Sequence, residues 1–184
     1  MSHTAKDGSG NLVYVRSLGA GTVGDPLELT TMPRGQVCIE LGNAYQSAKR
    51  YTIANNGTLD ILLKTPASSK VIMTKLAVDT SAAPLEMDLR EDVIVSANGT
   101  AITMYNLNRQ SSNAASSLLY QSPTVTDTGT PIVEMELNGD KDFGGSGARD
   151  CGMILDASTS YLIRINNTSG AAATMAIDIR ISEL

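Results

Sequence analysis

The feature that most restricts this chain is a hydrophobic period of two that returns along its length, with no segment of sustained period 3.6. In residues 84–90, Leu85, Met87 and Leu89 face one way while Glu86, Asp88 and Arg90 face the other. Val133, Met135 and Leu137 oppose Ile132, Glu134 and Glu136, and Tyr161, Ile163 and Ile165 form a further row. Met175, Ile177, Ile179 and Ile181 oppose Thr174, Ala176, Asp178, Arg180 and Ser182. Leu59, Ile61 and Leu63 belong to the same series, opposed by Asp60 and Lys64, with Leu62 as an exception. Successive side chains of an extended strand point to opposite faces, so each run predicts a half-buried strand with one wet face.

Turn chemistry falls between these runs. Asn56-Gly57, Asn98-Gly99 and Asn138-Gly139 supply the positive φ angles of tight turns, which between alternating runs predict hairpins, and Ser169-Gly170 adds a fourth. Strands are expected near 37–41, 49–55, 58–65, 70–78, 84–90, 101–106, 131–137, 153–155, 160–166 and 173–182. Residues 107–119, rich in Ser, Asn and Ala, hold at most a turn of helix. The predicted fold class is all-β: an antiparallel β-sandwich, jelly-roll-like, over residues 36–184, with an extended N-terminal arm over residues 1–35.

The arm differs in kind from the body. It holds one strand-like run, Leu12-Val13-Tyr14-Val15-Arg16, and then glycine- and proline-punctuated stretches, Gly19-Ala20-Gly21-Thr22, Gly24-Asp25-Pro26 and Pro33-Arg34-Gly35. So few core-forming residues cannot close on themselves. The arm is therefore expected to anchor on something else, the alternative being a frayed terminus without a role.

Composition closes off several functions. The 184 residues suffice for one domain and an appendage, and 42% hydrophobic against 18% charged is the profile of a chain that folds. With 14 Lys and Arg against 19 Asp and Glu, the net charge of −5 argues against nucleic acid as a partner, which requires basic groups to displace counterions from phosphates. No stretch approaches the ~18–20 apolar residues of a membrane span, and residues 1–8 carry no apolar signal-peptide core. The chain is thus expected to be made and kept in solution and to have no membrane partner. Cys38 and Cys151 lie outside any CxxC, with no histidine cluster to complete a zinc set. They are expected as free, buried thiols, a disulfide between them being the open alternative.

Several motifs are tempting and fail on their requirements. Gly19-Ala20-Gly21-Thr22-Val23-Gly24 fits the dinucleotide pattern, but that pattern needs a following helix, and Pro26 and Pro33 confine any helix here to about a turn and a half. Gly144-Gly145-Ser146-Gly147-Ala148 approximates a nucleophile elbow, yet the one histidine, His3, lies in the arm. Asp140, Asp142 and Asp150 bracket that loop, but Gly144 and Cys151 stand where a calcium loop needs ligands. Glu134 with Glu136, and Glu86 with Asp88, give side-by-side carboxylates of the kind used in glycoside hydrolysis. Any solvent-facing strand row produces such pairs, and with one Phe, Phe143, and no Trp there is little for a sugar to stack on. The eight Met residues, several on apolar rows, read as adaptable core filler. No catalytic residue, cofactor site or metal site is expected.

The string Lys6-Asp7-Gly8-Ser9-Gly10-Asn11-Leu12-Val13-Tyr14-Val15-Arg16, followed by Gly19-Ala20-Gly21-Thr22 and Gly24-Asp25-Pro26-Leu27, resembles the short arm of virion-attached proteins of tailed bacteriophages. Asn98-Gly99-Thr100, Tyr105-Asn106-Leu107-Asn108-Arg109, Ser122-Pro123-Thr124-Val125, Arg149-Asp150 and Tyr161-Leu162-Ile163-Arg164-Ile165-Asn166-Asn167 resemble the jelly-roll-like β domain of such proteins. The resemblance implies capsid decoration or head-fibre attachment on the capsid exterior, without catalysis, usually as a homodimer or homotrimer. The major capsid protein, or another virion protein, would be the partner. Leu12, Val13, Tyr14, Val15, Arg16, Asp25 and Pro26 would then anchor the arm. The expected function is that of a cement protein. The alternatives are a host-surface glycan-recognition module, with loops 107–117 and 140–150 as its contacts, and a carbohydrate-active enzyme on the same sandwich.

Overall fold

The computed structural model describes residues 2–6, 12–16, 34–81, 84–137, 145–149 and 152–184. The N-terminal elements are β1 (Ser2–Lys6), β2 (Leu12–Arg16) and a short helix α1 (Arg34–Glu40). Four long strands follow: β3 (Ala44–Ile53), β4 (Thr58–Lys64), β5 (Val71–Thr80) and β6 (Leu85–Glu91). An excursion then carries β7 (Ile94–Ala97), β8 (Thr100–Ile102), β9 (Tyr105–Asn106), β10 (Leu118–Gln121) and β11 (Thr124–Asp127). The chain finishes with β12 (Thr130–Leu137), β13 (Gly145–Arg149), β14 (Met153–Leu155), β15 (Ser160–Asn167) and β16 (Ala173–Glu183).

Alternation sorts these strands into two facing sheets. One has the order β12-β6-β15-β4-β10-β8 and the other β13-β5-β16-β3-β9, with β14 also pairing β5. Setting the excursion aside, eight strands remain in the orders β12-β6-β15-β4 and β13-β5-β16-β3. Each step along the chain crosses between sheets except β6 to β12. That is the connectivity of a jelly roll, as the all-β reading expected. Apolar rows from both sheets meet between them: Ile61 and Leu63, Met87 and Leu89, and Ile163 and Ile165 from one, Met73 and Val78, and Met175 and Ile177 from the other, all nearly inaccessible.

Four expectations need correction. Residues 37–41 do not form a strand but lie in α1 and its cap. Gly42, at φ +71°, closes the helix: its N–H donates to Ile39 C=O at 2.9 Å and Asn43 N–H to Cys38 C=O at 2.8 Å, the paired bonds of a left-handed C-cap. Second, the Asn-Gly turns are not hairpins. Asn56-Gly57 joins β3 to β4, Asn98-Gly99 joins β7 to β8, and Ser169-Gly170 joins β15 to β16, in every case strands of different sheets. Asn138-Gly139 lies outside the described residues. Third, Leu118 and Leu119 belong to a strand, β10, while residues 107–117 stay within the expectation of at most a turn of helix and form a loop held by side chains. Fourth, β3 begins at Ala44 and not near 49, and β7, β10, β11 and β13 are strands that periodicity passed over.

The excursion explains the Leu62 anomaly. Leu62 and Leu162 are adjacent on the face turned away from the core, yet both are fully buried. Hydrogen bonds that hold the excursion over that face include Val93 N–H to Ser160 C=O at 3.2 Å, Arg90 Nε to Thr128 C=O at 2.9 Å, Ser122 N–H to Asp60 C=O at 2.9 Å, and Lys64 Nζ to Asn98 Oδ1 at 3.4 Å. Its two legs, β7 and β11, pair with each other. Gly99, at φ +86°, passes so close to the Gln121 and Ser122 carbonyls that no side chain fits there.

Ile163 sits mid-strand in β15, between β4 and β6, and is wholly buried. Replacing it with Ala should cost about 2–5 kcal/mol, read as a fall in urea midpoint at unchanged slope.

Candidate functional site

Of the residues that sequence reasoning assigned to attachment, Leu12, Val13, Tyr14, Val15 and Arg16 are brought together in β2, while Asp25 and Pro26 lie outside the described residues. β2 pairs antiparallel with β1, Leu12 opposite Lys6 and Arg16 opposite Ser2. The two strands form a sheet of their own and join neither large sheet. Reading Leu12–Arg16 as a lone strand missed this partner. Ser2-His3-Thr4-Ala5-Lys6 has no apolar row to announce it.

On the body, two inward rows end in a polar residue, and these residues hold the ends of the sandwich. Asn167 continues the row Tyr161, Ile163, Ile165 and is completely buried. Its Nδ2 lies 3.1, 3.0 and 2.8 Å from the carbonyls of Ile53, Ala54 and Ala171, and its Oδ1 accepts from Ser169 N–H at 3.1 Å. It thereby ties the β3–β4 turn to the β15–β16 turn. Glu183 continues the row that runs through Ile181 and is also buried. Its carboxylate accepts from Ser116 N–H at 2.9 Å and Ser117 N–H at 2.7 Å, fastening the excursion to β16. Burial and the Glu183 charge push the Tyr45 hydroxyl pKa above its usual range, and that hydroxyl lies 3.2 Å from Gly42 C=O and 3.1 Å from Ala114 C=O. The interruption of an apolar row by a single Glu or Asn was the signal available in the sequence.

Loop 107–117 is fixed by asparagines. Asn106 Nδ2 donates to Gly42 C=O at 2.8 Å, and Asn108 Nδ2 to Glu40 C=O at 3.1 Å, so the loop is built onto the end of α1. Next to it a groove of about 530 Å³ is lined by Gln46, Ala48, Tyr105, Asn106, Leu107 and Arg109. Tyr105 is 59% exposed, with the Arg109 guanidinium carbon 5.6 Å from its ring centre.

The candidate chemistry resolves into surface features. Register sets Glu134 opposite Asp88 and Glu136 opposite Glu86, so four carboxylates share the outer face of β6 and β12. Asp88 is paired with Arg90 at 3.1 Å; Glu86, Glu134 and Glu136 have no basic partner among the described residues. No group of three or more His, Cys, Asp or Glu among the described residues is arranged to hold a metal ion. Across the same face Arg164 grips Asp60 through two bonds of 2.8 Å, and that hydrogen bonding raises the guanidinium pKa against the opposing effect of burial. Ser146 lies within a strand, opposite Asp79, and not at a strand-to-helix turn, so the elbow geometry is not met. Cys38 is buried and free; Cys151, the glycine string 19–24 and the aspartates 140, 142 and 150 lie outside the described residues.

Fold and surface together define a jelly-roll β-sandwich with an additional N-terminal hairpin. No known protein family matches the chain in sequence, and no curated protein does. Among solved structures it is similar to the Yersinia pseudotuberculosis-derived mitogen, at 12% identity and a TM-score of 0.35, over 73% of this chain and 83% of the mitogen. It is also similar to chains of infectious bursal disease virus, strains Gt and Gx, at 13% and 16% identity and TM-scores of 0.20 and 0.14. Those alignments take in 95% of this chain and 47% and 46% of the viral chains.

Two outcomes follow from this geometry. Glu183→Ala strands two N–H donors and should lower stability by roughly 1–3 kcal/mol, with faster amide exchange at Ser116 and Ser117. Glu136→Gln removes a like-charge cross-strand pair and should raise stability by about 0.2–1 kcal/mol in low salt, a gain that shrinks as salt is added.

Proposed function

We propose that this protein is a non-enzymatic structural component of a tailed-bacteriophage virion, a decoration protein that binds the outside of the head and stabilises the shell. The observation that carries this reading is the independence of the N-terminal hairpin. Neither large sheet pairs with Ser2–Lys6 or Leu12–Arg16, which leaves this segment available to serve a surface other than the body. Residues 1–35 would be the anchor and the sandwich the exterior body, acting on the major capsid protein as an oligomer. Many weak anchors then add up through avidity. A hairpin has an advantage over a lone strand here. One partner strand is already in place, so less chain is ordered on docking, and the outer edge of either strand remains open to a capsid sheet.

The groove at Tyr105 favours a second reading. An exposed ring with a polar rim suits a cell-surface glycan, which would make the body a host-recognition module.

The readings separate in one experiment. The full chain, mixed with expanded empty heads of its phage, should co-sediment and raise the shell melting temperature. A chain beginning at Arg34 should remain folded and stay in the supernatant. Binding retained by the shortened chain would exclude the anchor, and failure of both to bind, together with retention on host glycans that Tyr105→Ala abolishes, would establish the second reading.

A further inference from the structure

Among the described strands, β12, β8, β13 and β9 each have one side unpaired and β3 is unpaired beyond Gln46; the outer faces of β12 and β3 carry opposite charge. β12 pairs β6 on one side, and no described strand meets its other side. Its exposed outer face bears Glu134 and Glu136. β3 pairs β16 along its length, but on its other side β9 covers only Tyr45 and Gln46. The bond from Leu107 N–H to Ala44 C=O shows that Ala44 turns its main-chain groups outward. By alternation Ala48, Arg50 and Thr52 do the same, beyond the reach of β9. Arg50, opposite Ala176, is exposed on the outer face of this stretch and has no acidic partner among the described residues, whereas Lys49, opposite Ile177, lies on the other face and bonds Gln121.

Unpaired edges invite another strand, and charge decides which one. Two copies of β12 meeting edge to edge would set glutamates against glutamates. Two copies of β3 would set Arg50 against itself. β12 against β3 joins free main-chain groups and sets Arg50 against the glutamates, and it relieves the uncompensated carboxylates of β6 and β12.

We infer that the β12 edge of one molecule docks on the unpaired Ala48–Thr52 edge of β3 in a second copy of this chain, head to tail, joining the first sheet of one sandwich to the second sheet of the next. Such a contact uses two different patches, so it builds a ring when the rotation closes. The inference deepens the oligomeric part of the proposed function and is independent of shell binding, because it concerns the chain alone: a monomer that still binds heads would overturn the interface and leave the decoration reading standing.

Sedimentation velocity of the full chain tests it. The wild type should form a closed oligomer that weakens as ionic strength rises. Arg50→Glu should sediment as a monomer, as should Glu134→Lys with Glu136→Lys, and the triple variant should assemble again. A monomeric wild type, or assembly indifferent to either reversal, overturns the interface. Should a variant fail to fold by circular dichroism, amide exchange on the wild type decides instead. Protection at Ala48, Arg50 and Thr52 that rises with protein concentration supports the contact, and protection independent of concentration rejects it.

Discussion

Two stacked sheets leave four edges, and the main-chain groups along each must bond to something. How this protein disposes of its edges accounts for most of what is distinctive in it. The long connection between β6 and β12 could have been a short turn within one sheet. Instead it runs out over the outer face, adds β10 and β8 beyond β4, leaves β9 against the start of β3, and returns. One flank of the sandwich is thereby extended on both sheets by a single segment. Glu183 and the asparagines of loop 107–117 hold that segment down, since strands of two to four residues contribute few ladder bonds of their own.

The alternating rows were legible because each long strand has one dry face, and a period of two survives any rearrangement of neighbours. The order of strands was not. Asn56-Gly57 announces a reversal, but the same reversal serves a hairpin or a crossing to the opposite sheet, and here it crosses. Short strands escaped notice for a different reason. Ile94-Val95-Ser96-Ala97 and Thr124-Val125-Thr126-Asp127 pair only with each other over another surface, so neither shows a buried row. Val37, Cys38 and Ile39 look like strand residues by propensity, and Gly42 was the counter-signal, a glycine placed where a helix ends. Of the candidate site, Leu12–Arg16 was visible as a strand, whereas its pairing with a polar neighbour was not.

The interior is filled by branched side chains and methionines from both sheets, and among the buried polar groups Asn167, Glu183 and Tyr45 bond to main-chain partners. Those bonds tie the turns and the excursion to the strands at the two ends of the sandwich. The sandwich topology by itself serves many roles, so the weight of the functional reading rests on the hairpin and the charged edges.

The placement of β16 has a bearing on biogenesis. It lies between β5 and β3 and supplies both with their ladders, while its sequence comes after every other described strand. Until residues 173–183 leave the ribosome, β3 and β5 have no common neighbour, the second sheet is divided into a β5 part with β13 and β14 and a β3 part with β9, and the row Met175–Ile181 is missing from the core. The sandwich therefore closes late in synthesis, once Glu183 has emerged, because its non-local pairings wait on the last described strand.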